Sequence, residues 1–234
     1  MNIVITGVSR GIGYETVKAL IAKSEHKVVC IARSEQELNL LKSECYKLNP
    51  LSSIFVIPFD LRSLHKKEDL LSKILRFIPN VDILINNAGS LLVKPIEGVC
   101  LEEINQVFHL NFNVPFLLMQ MLSGHLTSNA HVLNISSMGG FQDSAKFSGL
   151  SIYSSAKAAL NCLTQVIAAE WSERSIAVNA LAIGAVNTQM LSEAFPEYKA
   201  PVEAFEMGAY IANFAVEGRK YYNGKILPVA LSNP

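Results

Sequence analysis

The stretch Thr6-Gly7-Val8-Ser9-Arg10-Gly11-Ile12-Gly13 follows a short apolar run at residues 3–6 and opens into a segment with helical patterning from about residue 12. Glycines between a strand and a helix let the backbone turn sharply and come close to a ligand. The first turn of the helix offers N–H groups and the positive end of its dipole to an anion. An ordinary glycine turn has the same composition, so position decides between the two readings. The loop ends the first strand of the chain, where doubly wound sheets bind nucleotides. Its spacing, TGxxxGxG, is a longer relative of the GxGxxG dinucleotide fingerprint. Gly7, Ser9, Arg10, Gly11, Ile12 and Gly13 are therefore expected to cradle a pyrophosphate.

Working outward, Val- and Ile-rich runs recur at residues 28–32, 54–58, 82–86, 132–136 and 176–182, with a weaker one at 225–229. Each is continuously apolar rather than alternating, as strands covered on both faces require. Helical patterns lie between them, at about 12–24, 35–48, 63–78, 101–126, 152–173 and 202–217. This alternation predicts an α/β fold of about seven strands in a doubly wound parallel sheet, Rossmann-like, with helices on both faces and right-handed crossovers. The chain has 234 residues, half of them hydrophobic and 17% charged, which suits a single folded domain over 1–234 and excludes a disordered chain.

Charge narrows the partners. Twenty Lys and Arg balance twenty Asp and Glu, so no basic excess is available for a nucleic-acid backbone. Polar residues interrupt every long apolar stretch, and the N-terminal residues carry no basic region ahead of an apolar segment. No membrane span is expected, and a cytoplasmic location is. Cys30, Cys45, Cys100 and Cys162 form no CxxC pair and read as small hydrophobes. The five histidines show no ligand spacing, so no metal is expected.

The end of the second strand bears on which dinucleotide binds. A carboxylate there would hydrogen-bond the ribose 2′-hydroxyl of NAD and repel the 2′-phosphate of NADP. The sequence has Ile31-Ala32-Arg33-Ser34, with Arg10 inside the glycine loop. Two guanidiniums able to grip one phosphate favour NADP(H) over NAD(H). Asp60 and Leu61 follow the third strand, where a carboxylate could accept from an adenine amino group. Asn87, Ala88 and Gly89, within Asn86-Asn87-Ala88-Gly89, close the fourth strand with small residues that admit a close ligand and an Asn able to tie neighbouring strands.

The chemistry concentrates in Tyr153-Ser154-Ser155-Ala156-Lys157. Residues four apart share a helix face, about 6 Å along the axis. An ammonium beside a phenol stabilises the phenolate, so Tyr153 is expected to have a lowered pKa and to act as a general acid/base. Asn134-Ile135-Ser136-Ser137 offers a hydroxyl at the carboxyl edge of the sheet. Asn111 is a polar residue within an otherwise apolar helical pattern.

With these motifs in this order, followed by Val178-Asn179-Ala180, nearly the whole chain resembles the short-chain dehydrogenase/reductase family in its single-domain branch. The resemblance implies hydride transfer between a nicotinamide and a carbonyl/alcohol pair. Tyr153 would move the hydroxyl proton, and Ser137, rather than Ser136, would orient the substrate oxygen. Lys157 would bind the nicotinamide ribose, and Asn111 would hold a water linking Lys157 to solvent. Ala185-Val186-Asn187-Thr188 continues the pattern that brackets the nicotinamide amide, which adds Val186 and Thr188 to the cofactor set. It also implies a homodimer or homotetramer built on the helices around 101–126 and 152–173, in keeping with Phe112, Phe116, Leu117, Leu118, Met121 and Leu122.

Three features depart from the family pattern. Ile183-Gly184 stands for the usual Pro-Gly, the loop from Ser137 to Tyr153 is longer than common, and residues 223–234 lack the usual glycine pair. Leu91, Leu92, Phe141, Phe147, Met190, Leu191 and Phe195 on the expected rim favour an apolar small-molecule carbonyl. Two other functions fit parts of the pattern. A dinucleotide-binding sensor that lost its chemistry is disfavoured by the intact Ser137, Tyr153, Lys157 and Asn111 set. An epimerase or dehydratase of the extended branch needs a further substrate domain, for which the segment after Thr188 is too short.

Overall fold

The structure is a computed structural model describing residues 1–23 and 25–231; Ser232, Asn233 and Pro234 of the C-terminal stretch lie outside the described residues. Seven parallel strands form one sheet in the order β3-β2-β1-β4-β5-β6-β9. They are β1 Asn2–Thr6, β2 Lys27–Ala32, β3 Ser53–Pro58, β4 Val81–Asn86, β5 Leu126–Ser137, β6 Ala177–Ile183 and β9 Ile226–Val229. The helices are α1 Gly11–Lys23, α2 Glu35–Leu48, α3 Lys67–Leu75, α4 Leu101–Phe108, α5 Val114–Leu122, α6 Ser151–Glu170, α7 Gln189–Ala194 and α8 Ala204–Glu217. A separate parallel ribbon pairs β7 Val186–Asn187 with β8 Val202–Glu203. The doubly wound α/β expectation is met.

The continuous apolar strands have their explanation in two cores. Ile3 and Ile5 pack with Val17 and Ile21 of α1, Leu38 of α2 and Ile211 of α8. Val4, between them in sequence, points the other way, into a cluster with Leu70 of α3, Leu118 of α5 and Leu160 of α6. Side chains alternate along a strand, and here both faces are dry. Strand order reverses between β1 and β4, so their carboxyl ends diverge and leave a crevice.

The expected helix over 101–126 is broken. It holds α4, a π-helical turn over His109–Asn113, and α5, after which β5 already begins at Leu126. Pro115 lacks the N–H that would bond to the Asn111 carbonyl, and the chain widens so that Val114 N–H reaches His109 O instead. The break turns Asn111 fully inward. The expected helix over 63–78 starts with a 3₁₀ segment, Leu61–Lys66, capped by Asp60. Cys30 and Cys45 are buried as expected, whereas Cys100 and Cys162 are exposed. Among the described residues no helix is long and apolar enough to cross a membrane.

Candidate active site

The glycine loop and the Asn-Asn-Ala-Gly turn form one device. A Cβ on Gly7, whose φ is +71°, would stand 2.7 Å from Ala88 Cα, and one on Gly13 would stand 2.4 Å from Asn87 Nδ2. Only glycine permits that approach. Asn87 Nδ2 donates to the carbonyls of Thr6 and Gly7, both at 2.9 Å. Thr6 Oγ1 in turn accepts from the N–H groups of Asn87 and Ala88. The two strand ends at the switch point are thus laced together, and the remaining loop surface faces a cleft.

That cleft has a volume of about 450 Å³ and is lined by Gly7, Ser9, Arg10, Gly11, Ile12, Gly13, Ala32, Arg33, Asp60, Leu61, Asn87, Ala88, Gly89, Asn111, Tyr153, Lys157 and Thr188. Of the expected site residues, Val186 and Ser137 are not in its lining. Val186 pairs with Val202 in the ribbon and is buried in the core.

At the far end Arg33 is exposed, and Asp60 carries a lowered pKa, chiefly through hydrogen bonds from Arg62, with Arg33 adding its charge. Arg62 is one of the cleft residues that composition and spacing do not single out. Its Nη2 reaches Asp60 Oδ2 at 2.6 Å, and its Nε contacts both carboxylate oxygens. An Asp-x-Arg directly after a strand was the available signal. Asp60 thus lines the cleft with Arg62 on its carboxylate. Arg10, exposed on the other side, donates to Gln189 Oε1 at 2.8 Å.

Tyr153 is half-buried in the first turn of α6, and Lys157, one turn on, is buried. The Lys157 ammonium donates to Ile135 O at 2.8 Å and lies 5.9 Å from the Tyr153 ring centre. Burial lowers the lysine pKa to about 8. Burial also raises the Tyr153 phenol above 10.0, with a hydrogen bond to the Ser137 side chain pulling the other way. The sequence expectation of a lowered phenol is corrected: desolvation is the largest influence on the oxygen, and the ammonium donates to the strand carbonyl rather than to the phenol.

The two adjacent serines divide. Ser136 is buried and donates to Lys157 O at 3.3 Å, which makes it a packing contact of α6. Ser137 accepts from Gly139 N–H at 3.1 Å, and its hydroxyl pulls the Tyr153 phenol's pKa down against the effect of burial. A buried chain fixes α6 beneath them: Asn86 Nδ2 donates to Asn134 Oδ1 at 2.8 Å, and Asn134 Nδ2 to Thr164 Oγ1 at 2.9 Å. Asn111 Nδ2 donates to Ser90 O and Val107 O, both at 2.9 Å, while its buried Oδ1 has no partner. That oxygen lies 2.8 Å, and Lys157 Nζ 3.5 Å, from the point a Cβ on Gly89 would occupy. A glycine here keeps open a polar cradle beside the lysine, which fits a hydroxyl-bearing ligand.

Of the apolar residues expected on the rim, Leu91 and Met190 line the cleft, joined by Ile183. Phe141 and Phe147 do not: they line a separate groove of about 800 Å³ against α6. Within the 141–147 loop the Lys146 ammonium donates to Phe141 O and Ser144 Oγ. Among the described residues no group of three His, Cys, Asp or Glu could hold a metal.

The short chain dehydrogenase family model matches residues 1–199. The chain belongs to the short-chain dehydrogenase family. It is 32% identical over 189 residues to L-xylulose reductase of Mesocricetus auratus, covering 80% of this chain and 72% of that one. It is 29% identical over 192 residues to a fatty acyl-CoA reductase of Acinetobacter baylyi, covering 80% of this chain but only 63% of that relative. A short chain dehydrogenase from Burkholderia cenocepacia, solved in complex with NADP, superposes with a TM-score of 0.86 over 97% of this chain and 95% of that one, at 23% identity. As a family member this chain is an oxidoreductase of the Rossmann fold with a nucleotide site.

Proposed function

We propose that this short-chain dehydrogenase reduces an apolar carbonyl compound, or oxidises the matching alcohol, with NADP(H) preferred over NAD(H). The observation that carries the reading is the pair Tyr153 and Lys157, one helical turn apart with the ammonium 5.9 Å from the ring centre, in the lining of the cleft that begins at the glycine loop. A bound nicotinamide supplies or accepts the hydride. This chain's residues do the rest. Tyr153, held neutral by burial, has its phenolic proton available for a carbonyl oxygen, and the Ser137 hydroxyl donates to the same oxygen. Lys157, largely protonated at pH 7 with a pKa of about 8, offers its ammonium to ribose hydroxyls and to the phenol after proton transfer. The unpartnered Asn111 Oδ1 beside it supports a role as acceptor in a proton path behind the lysine.

Arg10 and Arg33 in the cleft lining support the 2′-phosphate assignment, and Arg62 adds a third guanidinium to that lining. The NADP bound to the Burkholderia relative agrees with it. Leu91, Ile183 and Met190 support an apolar substrate. Phe116 on α5 and Val166 on α6 are exposed, which supports an oligomer built on those helices. The test is a panel of aliphatic and aromatic ketones and aldehydes with NADPH, followed by loss of reduced-nicotinamide absorbance. Turnover of apolar members is expected. Tight NADPH binding with no turnover on any member rejects the enzymatic reading.

A further inference from the structure

We infer that Gln189 is a positioning residue for cofactor discrimination: it fixes the guanidinium of Arg10 across the cleft mouth, so that preference for a 2′-phosphate depends on α7. The inference rests on the NADP(H) reading above. Arg10 Nη1 donates to Gln189 Oε1 at 2.8 Å, joining two parts of the chain 179 residues apart. Gln189 Nε2 donates to Glu193 Oε1 at 2.7 Å. A carboxamide has one accepting and one donating end, so the Glu193 contact decides which end faces the arginine. A glutamine holds a guanidinium without cancelling its charge. Arginine carries five donors in a rigid fork, and those not used by Gln189 remain open to a phosphate.

Gln189 is itself held. Thr188 caps α7 by accepting from Leu191 N–H, and its Cγ2 lies 3.5 Å from where a Cβ on Gly11 would stand. Behind it, Asn187 Nδ2 donates to both Glu203 carboxylate oxygens at 3.0 Å, closing the base of the 188–201 segment through the β7–β8 pair. The root of α7 therefore lies beside the glycine loop, and Gln189 reaches from it to Arg10. Met190, next on the same helix, lines the cleft. The residue that meets the phosphate and the wall that meets the substrate are joined through one side chain.

The test is a double-mutant cycle read as the ratio of NADH to NADPH dissociation constants, by fluorescence titration of the whole chain. Gln189 is exposed, so its replacement leaves the core intact. Gln189→Leu should lower the ratio about three- to tenfold by weakening NADPH alone, the scale of a hydrogen bond that orients a charged group. With Arg10→Leu already present, Gln189→Leu should change the ratio by less than about twofold, since its effect runs through the arginine. Gln189→Glu should lower it further than Gln189→Leu, because the carboxylate neutralises Arg10 and repels the phosphate. Equal weakening of both cofactors, or an equal effect in both Arg10 backgrounds, marks a merely structural role and overturns the inference. If Arg10→Leu lowers the ratio and Gln189→Leu does not, the inference fails while the NADP(H) reading stands. If the wild-type ratio is near one, the reading fails and the inference with it.

Discussion

Lys157 stands 5.9 Å from the centre of the Tyr153 ring with its ammonium donated to the Ile135 carbonyl, not to the phenol. The helical spacing that makes this pair legible in sequence fixes their proximity but not the partner of the charge. Strand β5 supplies an acceptor at 2.8 Å, and the phenol is left with Ser137. In the free protein the pair therefore stores a proton on tyrosine.

The Tyr153 phenol should accordingly ionise at higher pH than an ordinary tyrosine, since burial raises its pKa. Ultraviolet difference titration of wild type against Tyr153→Phe measures this directly. A tyrosine absent from the variant that ionises near pH 7 would contradict the raised value and restore the simpler expectation of an ammonium-stabilised phenolate.

Tyr153→Phe keeps the ring's packing and removes the proton. Turnover should fall on the order of 10²–10⁴-fold, with NADPH affinity changed by less than about twofold. Lys157→Met should weaken both, because the lysine faces the cleft as well as the phenol. In the alcohol-oxidising direction the rate should rise with pH, and Lys157→Met should move that rise upward by removing the positive charge nearest the phenol. Identical profiles for wild type and Lys157→Met would leave the lysine with only a packing role.

Much of this architecture was legible because it is local. Continuous apolar runs required a sheet covered on both faces, and the loop from Thr6 to Gly13 could sit only at a strand–helix junction. The π-helical turn was hidden because Pro115 inside an apolar run reads as a helix with a kink, although its missing N–H is what turns Asn111 inward. The Asn86–Asn134–Thr164 chain and the Arg10–Gln189 contact join residues far apart in sequence, and no spacing rule finds such pairs. Phe141 and Phe147 were misplaced for a related reason: a loop's length is visible in sequence, but not which groove its side chains line.

NADPH should bind about ten- to a hundredfold more tightly than NADH, the equivalent of one hydrogen bond to a charged group. Ala32→Asp should reverse or abolish that preference. The new carboxylate would end β2 beside Arg33, meeting a ribose hydroxyl and repelling a phosphate. Fluorescence titration with both cofactors decides it, and an unchanged preference in the variant would move the phosphate site away from the β2 end.

His131 sets an acid limit on the fold. It is fully buried on β5, with Nδ1 bonded to Ala215 O at 2.9 Å and Nε2 to Asn179 Nδ2 at 3.1 Å. A carbonyl on one nitrogen and an amide donor on the other fit a neutral imidazole protonated at Nδ1. Protonating Nε2 would set N–H against N–H in a dry site. Burial lowers the pKa to about 4, and the Arg219 charge adds to that, against the opposing pull of the Ala215 carbonyl. The unfolded chain binds this proton near 6.5, the folded chain only near 4, so unfolding takes up a proton between those values. The stabilisation is fully present above about pH 6.5 and is lost as pH falls toward 4, roughly 3 kcal/mol in all. Urea midpoints at pH 7.5, 6 and 5 stay above the ordinary carboxylate range, and His131→Gln supplies a side chain with a donor and an acceptor but no titration. Wild type should lose midpoint steadily down this series and the variant much less. His26, whose pKa burial also lowers, is present in both chains and cancels in the comparison. Parallel losses in the two proteins would assign the acid sensitivity to groups other than His131.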